Sequence, residues 1–143
     1  MIDNQKSEHV GLDDKIELSL ERCSSLVKDF GPDGIAVAWT GGKDSTVVLS
    51  LWRHYLAREG VLDSVGLRAL NLDTGCKFSE VLAFRDRIAA EWGVGLSVFG
   101  PQVDLARFPL AENPLQCCAA LKIEPLKRGV QEMGLTVLLT GLR

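Results

Sequence analysis

The sequence predicts a single α/β domain built on an open parallel sheet with helices on both faces. Three observations predict it. Short apolar runs alternate with segments of helical periodicity. A Gly-Gly pair lies between the first such run and the helix after it, and further glycine-rich or polar segments follow the later runs. The length of 143 residues is ordinary for one domain and short for two. We divide it into an N-terminal helix and turn (12–34) and a core (35–143).

The first helix is expected over Asp14–Asp29, where Ile16, Leu20, Cys23, Val27 and Phe30 recur at helical spacing and Asp14 with Glu17 can cap the start. Gly31-Pro32-Asp33-Gly34 breaks the chain. Ile35–Trp39 is a continuous apolar run, as in a central strand buried on both faces. Val47, Val48, Leu51, Trp52, Tyr55 and Leu56 describe the next helix, and Ala69–Leu72 a second strand. Ser79 opens a helix whose inner face would be Val81, Phe84, Ile88 and Trp92. Gly95–Phe99 reads as a third strand, Cys117–Met133 as a helical region interrupted at Pro125, and Val137–Thr140 as a fourth strand.

In such sheets ligands bind beyond the carboxyl ends of the strands. The segments Thr40–Ser45, Asp73–Phe78, Gly100–Ala111 and Gly141–Arg143 all fall at that edge. In the first of them, Gly41 and Gly42 let the backbone turn tightly and approach an anion. The following helix offers N–H groups and a positive dipole end. Lys43 adds a charge, and the hydroxyls of Thr40, Ser45 and Thr46 add donors. This is chemistry suited to a pyrophosphate. It is not a Walker A loop, which requires Gly where this chain has Val37 and Ser or Thr where it has Asp44. A plain strand-to-helix turn capped by Asp44 or Ser45 would also fit the residues alone.

Composition narrows the ligands. Sixteen Lys and Arg against 19 Asp and Glu give a net charge of −3, with no basic stripe, so a nucleic-acid ligand is disfavoured. No apolar run approaches the roughly 20 residues that span a bilayer, and Met1–Val10 resembles no targeting segment. The expected location is the cytoplasm, where the four cysteines stay reduced. Cys23 fits a core stripe. His9 and His54 carry no assigned role, and Trp39, Trp52 and Trp92 are read as core.

The segment Thr40-Gly41-Gly42-Lys43-Asp44-Ser45 resembles the Ser-Gly-Gly-x-Asp-Ser signature of the PP-loop ATP pyrophosphatases. Asn71-Leu72-Asp73-Thr74-Gly75-Cys76-Lys77-Phe78-Ser79-Glu80 resembles the Asp-Thr-Gly-x-x-Phe-Pro-Glu segment of the phosphoadenosine-phosphosulfate (PAPS) reductase family, which includes the small catalytic subunit of ATP sulfurylase. That subunit shares a lysine at the position of Lys77 and the run Phe84-Arg85-Asp86. Thr140-Gly141-Leu142-Arg143 is similar to the family's Thr-Gly-x-Arg segment. The resemblance covers Ile35 to Arg143 and implies a Rossmann-like, adenine nucleotide alpha hydrolase-like fold. It implies a nucleotide ligand, ATP or an adenylylated sulfate, bound by Thr40, Gly41, Gly42, Lys43, Asp44, Ser45, Thr46, Asp73, Thr74, Gly75, Gly141 and Arg143. Lys43, Ser45 and Asp73 are the candidate catalytic groups, and Asp44 the candidate Mg²⁺ ligand.

Cys117-Cys118 resembles the cysteine pair that supplies half of a [4Fe-4S] cluster in adenylyl-sulfate reductases. No later cysteine follows, so the four thiolates such a cluster normally needs would require ligands outside this chain. Cys76 at the same edge, or inert vicinal thiols, are the alternatives. Relatives continue beyond the Thr-Gly-x-Arg segment, and a missing final helix would leave apolar sheet surface for a second copy or a partner subunit. Three functions follow as expectations: adenylyl transfer from ATP with pyrophosphate release, reductive cleavage of adenylyl sulfate or PAPS with a catalytic Cys outside this chain, or non-catalytic binding of an adenine nucleotide.

Overall fold

Four short apolar segments pair side by side into one parallel sheet in the computed structural model, which describes residues 10–142. The strands are β1 (Ile35–Ala38), β2 (Leu67–Leu72), β3 (Val94–Phe99) and β4 (Val137–Leu139), in the order β3-β2-β1-β4. Register is fixed by pairs such as Val37 opposite Ala69, Ala69 opposite Leu96 and Val37 opposite Leu139. The helices are α1 (Leu12–Phe30), α2 (Lys43–Arg58), α3 (Leu62–Val65), α4 (Ser79–Trp92), α5 (Pro114–Cys118) and α6 (Glu124–Glu132). The expected α/β class and all four strands are present. The single turn α3 has no counterpart in the sequence reading.

The order of the strands decides where the helices go. The connections β1-α2-β2 and β2-α4-β3 step one way across the sheet, while β3-α6-β4 returns the other way. With right-handed crossovers, α2 and α4 cover one face and α6 the opposite face. The α2–α4 side holds the larger core: Ile35, Val37, Trp39, Leu49, Trp52, Leu56, Leu67, Ala69 and Ile88, with Leu20 and Cys23 from α1. On the other side α6 sits close because Gly129 has no side chain. A Cβ there would lie 2.7 Å from Leu70 Cδ1 and 2.8 Å from Phe99 Cδ2.

Local details depart from the pattern in instructive ways. The N-cap of α1 is Gly11, and Asp14 reaches back to accept its N–H at 3.1 Å. Glu17 takes no part in that cap; it pairs with Arg58 of α2 at 3.0 Å. Phe30, at the end of the expected stripe, is 54% exposed. Trp39 lies just beyond β1, although its N–H still bonds Leu70 O at 2.9 Å. The helical region near Pro125 starts earlier than expected, at Pro114, and runs on to Glu132 through a π-turn over Ala119–Ile123. A proline has no N–H and crowds the carbonyl four residues back, so the wider turn just before Pro125 accommodates it. β4 is an edge strand whose three residues are all half-buried.

Candidate functional site

At the carboxyl end of β1 the chain folds into a small self-bonded loop. Ser45 Oγ is its hub: it accepts the Thr40 N–H at 3.2 Å, lies 3.0 Å from Thr40 Oγ1 and donates to Gly42 O at 3.2 Å. Thr40 Oγ1 also accepts the Gly42 N–H at 3.2 Å. Thr46 Oγ1 donates to Gly42 O at 2.7 Å and accepts the Trp39 indole N–H at 3.0 Å. Gly42 O is thereby turned toward the helix. Gly42 is the N-cap of α2 and contributes no side-chain oxygen, so the positive end of a 16-residue helix opens on the loop.

The two glycines do different work. Gly41 has φ +86, and a Cβ there would stand 3.1 Å from Val81 Cγ1 and 3.3 Å from Val81 O on α4. Gly41 therefore lets the loop rest against α4. Gly141, after β4, serves the same end from the other side, since its Cβ would lie 2.9 Å from the Asp44 carbonyl carbon and 3.0 Å from Ser45 N. A cleft of about 490 Å³ lies between these segments, lined by Thr40, Gly42, Lys43, Asp44, Ser45, Thr140, Gly141 and neighbours. Lys43 is largely exposed at its rim and pairs with Asp44 at 2.8 Å. A second, open and mainly apolar groove of about 620 Å³ runs between α2 and α4, touching Gly41, Lys43 and Thr46.

Beneath the loop is a buried polar chain that sequence reasoning did not assemble. Asn71 on β2 is 1% exposed; its Nδ2 donates to Trp39 O at 2.7 Å, and its Oδ1 accepts from Arg85 Nη1 at 3.1 Å. Arg85 on α4 continues to Asp86 at 2.7 Å. The relay ties α4 and β2 to the carbonyl immediately before Thr40. The signal available was the polar residue inside each apolar pattern, Asn71 in a strand and Arg85 on the buried side of a helix.

Among the remaining expected residues, Asp73 follows β2 and accepts the Gly75 N–H at 2.9 Å, while Thr74 Oγ1 accepts the Cys76 N–H at 3.3 Å. Asp73, Thr74 and Gly75 stand at the same sheet edge but outside the lining of the 490 Å³ cleft. Arg143 and His9 lie outside the described residues. Trp39 and Trp52 are core, Trp92 is half-buried, and His54 is exposed.

Among the described residues the thiols do not gather at one place. Cys117 Sγ accepts the Ala111 N–H at 3.1 Å and lies 3.7 Å from Pro109 O, whereas Cys76 and Cys118 are exposed. Among the described residues no three His, Cys, Asp or Glu side chains gather to hold a metal ion. The donor set within this chain therefore does not fit a [4Fe-4S] cluster. A phosphate-bound Mg²⁺ asks less, because one or two carboxylates beside the phosphates suffice. The half-exposed Asp44 at the cleft fits that demand.

A parallel α/β sheet with a glycine loop and an open helix N-terminus at its carboxyl edge defines a class of anion-binding nucleotide domains. Within that class the chain belongs to the PAPS reductase family: residues 34–143 match the family model of the phosphoadenosine phosphosulfate reductase domain. An adenosine 5'-phosphosulfate reductase of Mesorhizobium japonicum is 35% identical over 118 residues, covering 78% of this chain and 43% of that protein. A sulfate adenylyltransferase subunit 2 of Alkalilimnicola ehrlichii is 32% identical over 114 residues, covering 78% of this chain and 35% of that protein. The chain thus spans less than half the length of these relatives.

Solved structures agree on the fold. A PAPS reductase from Candida auris, in a phosphate complex, superposes with a TM-score of 0.67 at 19% identity, covering 87% of this chain and 61% of that one. An FMN adenylyltransferase from Candida glabrata gives a TM-score of 0.57 at 14% identity, covering 90% of this chain and 42% of that one. Family membership places the protein among sulfur-metabolism nucleotide-binding proteins. Among the described residues no helix is long and apolar enough to cross a membrane.

Proposed function

We propose that the protein binds ATP at the Thr40–Thr46 loop and transfers its adenylyl group to an oxyanion such as sulfate, with release of pyrophosphate. The observation that carries this reading is the intact Gly-Gly-Lys-Asp-Ser loop, closed on itself through Ser45 and opening onto the uncapped start of α2. In the reaction an acceptor oxygen attacks the α-phosphorus, the bond to the α–β bridging oxygen breaks, and its electron pair leaves with the pyrophosphate. Charge grows on that leaving group, and fixed donors aimed at it favour the transition state.

Lys43 supplies the mobile cation at the rim. Ser45, whose hydroxyl already bonds three loop groups, keeps the loop in shape and exchanges one of those bonds for a phosphate oxygen. Thr40, Thr46 and the backbone of Gly41, Gly42 and Gly141 complete the cradle, with Arg143 adjoining it. Asp44 would hold Mg²⁺, which neutralises phosphate charge when bound. Asp73, with Thr74 and Gly75, orients the nucleoside or acceptor from the next strand end.

A second reading is reductive cleavage of a sulfated nucleotide, favoured by the 35% identical reductase and by the Cys117-Cys118 pair. It requires a nucleophilic thiolate beside the substrate, which the described residues do not place at the cleft. A partner subunit or a second copy is part of the first reading, since relatives are named as subunit 2 of sulfate adenylyltransferase and the edge strand β4 is only half-buried. The cytoplasm remains the expected site of action.

Pyrophosphate release from ATP–Mg²⁺ in the presence of sulfate tests the proposal. Lys43→Ala removes a largely exposed side chain, so the fold should be kept while release falls at least about tenfold, the scale of one charge-assisted contact. Release that is absent in the wild-type chain, or unchanged in the variant, would contradict it.

A further inference from the structure

Lys77 stands out among the charged groups. Its Nζ is buried and has no hydrogen-bond partner among the described residues. A buried donor, above all a charged one, is normally satisfied. Burial pushes the ammonium below the ordinary lysine range; the Asp73 carboxylate opposes that shift and the Arg85 guanidinium adds to it. Neither neighbour serves as a partner. Asp73 Oδ1 accepts the Gly75 N–H at 2.9 Å and Arg85 donates to Asn71 and Asp86, while Lys77 Nζ reaches no acceptor.

The position is informative. Arg85 Cβ lies 3.7 Å from where a Cβ on Gly41 would stand, so the Arg85 neighbourhood flanks the phosphate loop. Lys77 itself belongs to the segment that follows β2 at the ligand edge and leads into α4. Leu105 packs on the same segment, with its Cδ1 2.5 Å from where a Gly75 Cβ would be. The lysine stem is flexible and ends in a compact ammonium that can turn toward a ligand at this edge.

We propose that Lys77 is a second anion-binding residue of the site, whose ammonium takes a phosphate oxygen of the bound nucleotide. The inference rests on the reading of the Thr40–Thr46 loop as a nucleotide site. It assigns the loop after β2 a charge role that complements Lys43: one cation is exposed at the rim, the other stored without a partner until the polyphosphate arrives. The stored cation disfavours the empty state and is satisfied in the bound one, so it favours phosphate-bearing ligands over the bare nucleoside.

The test is calorimetric titration of wild type, Lys77→Met and Lys77→Arg with ATP–Mg²⁺ and with adenosine, alongside thermal melts. The expected result is at least about tenfold weaker ATP binding by Lys77→Met, with adenosine binding unchanged, partial rescue by Lys77→Arg, and a melting temperature no lower than wild type. Wild-type binding of ATP matched by Lys77→Met would overturn the inference while leaving the nucleotide site standing. Equal weakening for ATP and adenosine, with a lower melting temperature, would also overturn it by making Lys77 a structural brace. Failure of wild type to bind ATP at all would remove the proposed function and this inference with it.

Discussion

Replacing Gly41 with alanine should abolish nucleotide binding while leaving most of the sheet folded. Gly41 has φ +86, where an L-residue is disfavoured by about 1–2 kcal/mol. The added methyl would also press on Val81, 3.1 Å from Cγ1 and 3.3 Å from the carbonyl oxygen, so the loop must lift from α4. The neighbouring glycine supplies the control. Gly42 has φ −78, and its Cβ would meet only Thr40 Oγ1 at 3.3 Å, so Gly42→Ala should bind ATP within a few-fold of wild type. Titration of both variants with ATP–Mg²⁺ checks the contrast. Equal affinities for the two would mean that contact with α4 does not shape the loop.

The largest stability effect is expected at Asn71. Asn71→Leu fits an apolar surrounding but removes both ends of the relay, leaving Trp39 O and an Arg85 N–H without their partner. Each stranded buried group costs about 1–3 kcal/mol, with the charged guanidinium at the upper end. A total of about 3 kcal/mol corresponds to a melting temperature lower by roughly 10 °C for a chain of this size. Nucleotide affinity should fall as well, because the freed carbonyl belongs to the residue before Thr40. A melt within about 2 °C of wild type would show that the relay contributes little.

Much of this arrangement was legible in the sequence, for identifiable reasons. Ile35–Ala38 is apolar throughout because β1 is covered on both faces, and a run of that kind followed by Gly-Gly leaves few alternatives. The order of strands and helices put the segments 40–45 and 141–143 at one carboxyl edge, and in the structure Gly141 packs there against Asp44 and Ser45. What escaped was tertiary pairing between residues that each look ordinary alone. Asn71 and Arg85 are 14 positions apart, and nothing in either local pattern announces the other. At the start of α1, Asp14 takes part in the cap as its position suggests, whereas Glu17 pairs with Arg58 on α2, a partner 41 positions away that local pattern does not announce.

The cysteine pair differs in that its role was never local: the sequence reading gave it a cluster only together with ligands outside this chain. Cys117 bonds the 109–111 loop and Cys118 is exposed, so adjacency in sequence did not produce convergence in space. The Thr40–Thr46 loop differs because its groups lie within seven residues, whose turn geometry their own glycines determine.

The proposal that the Thr40–Thr46 loop is a site for ATP is tested by calorimetric titration of this chain with ATP–Mg²⁺ and, separately, with PAPS and adenylyl sulfate. ATP is expected to bind more tightly than either sulfated nucleotide. Binding of the sulfated nucleotides alone would contradict it and assign the loop to reductive chemistry.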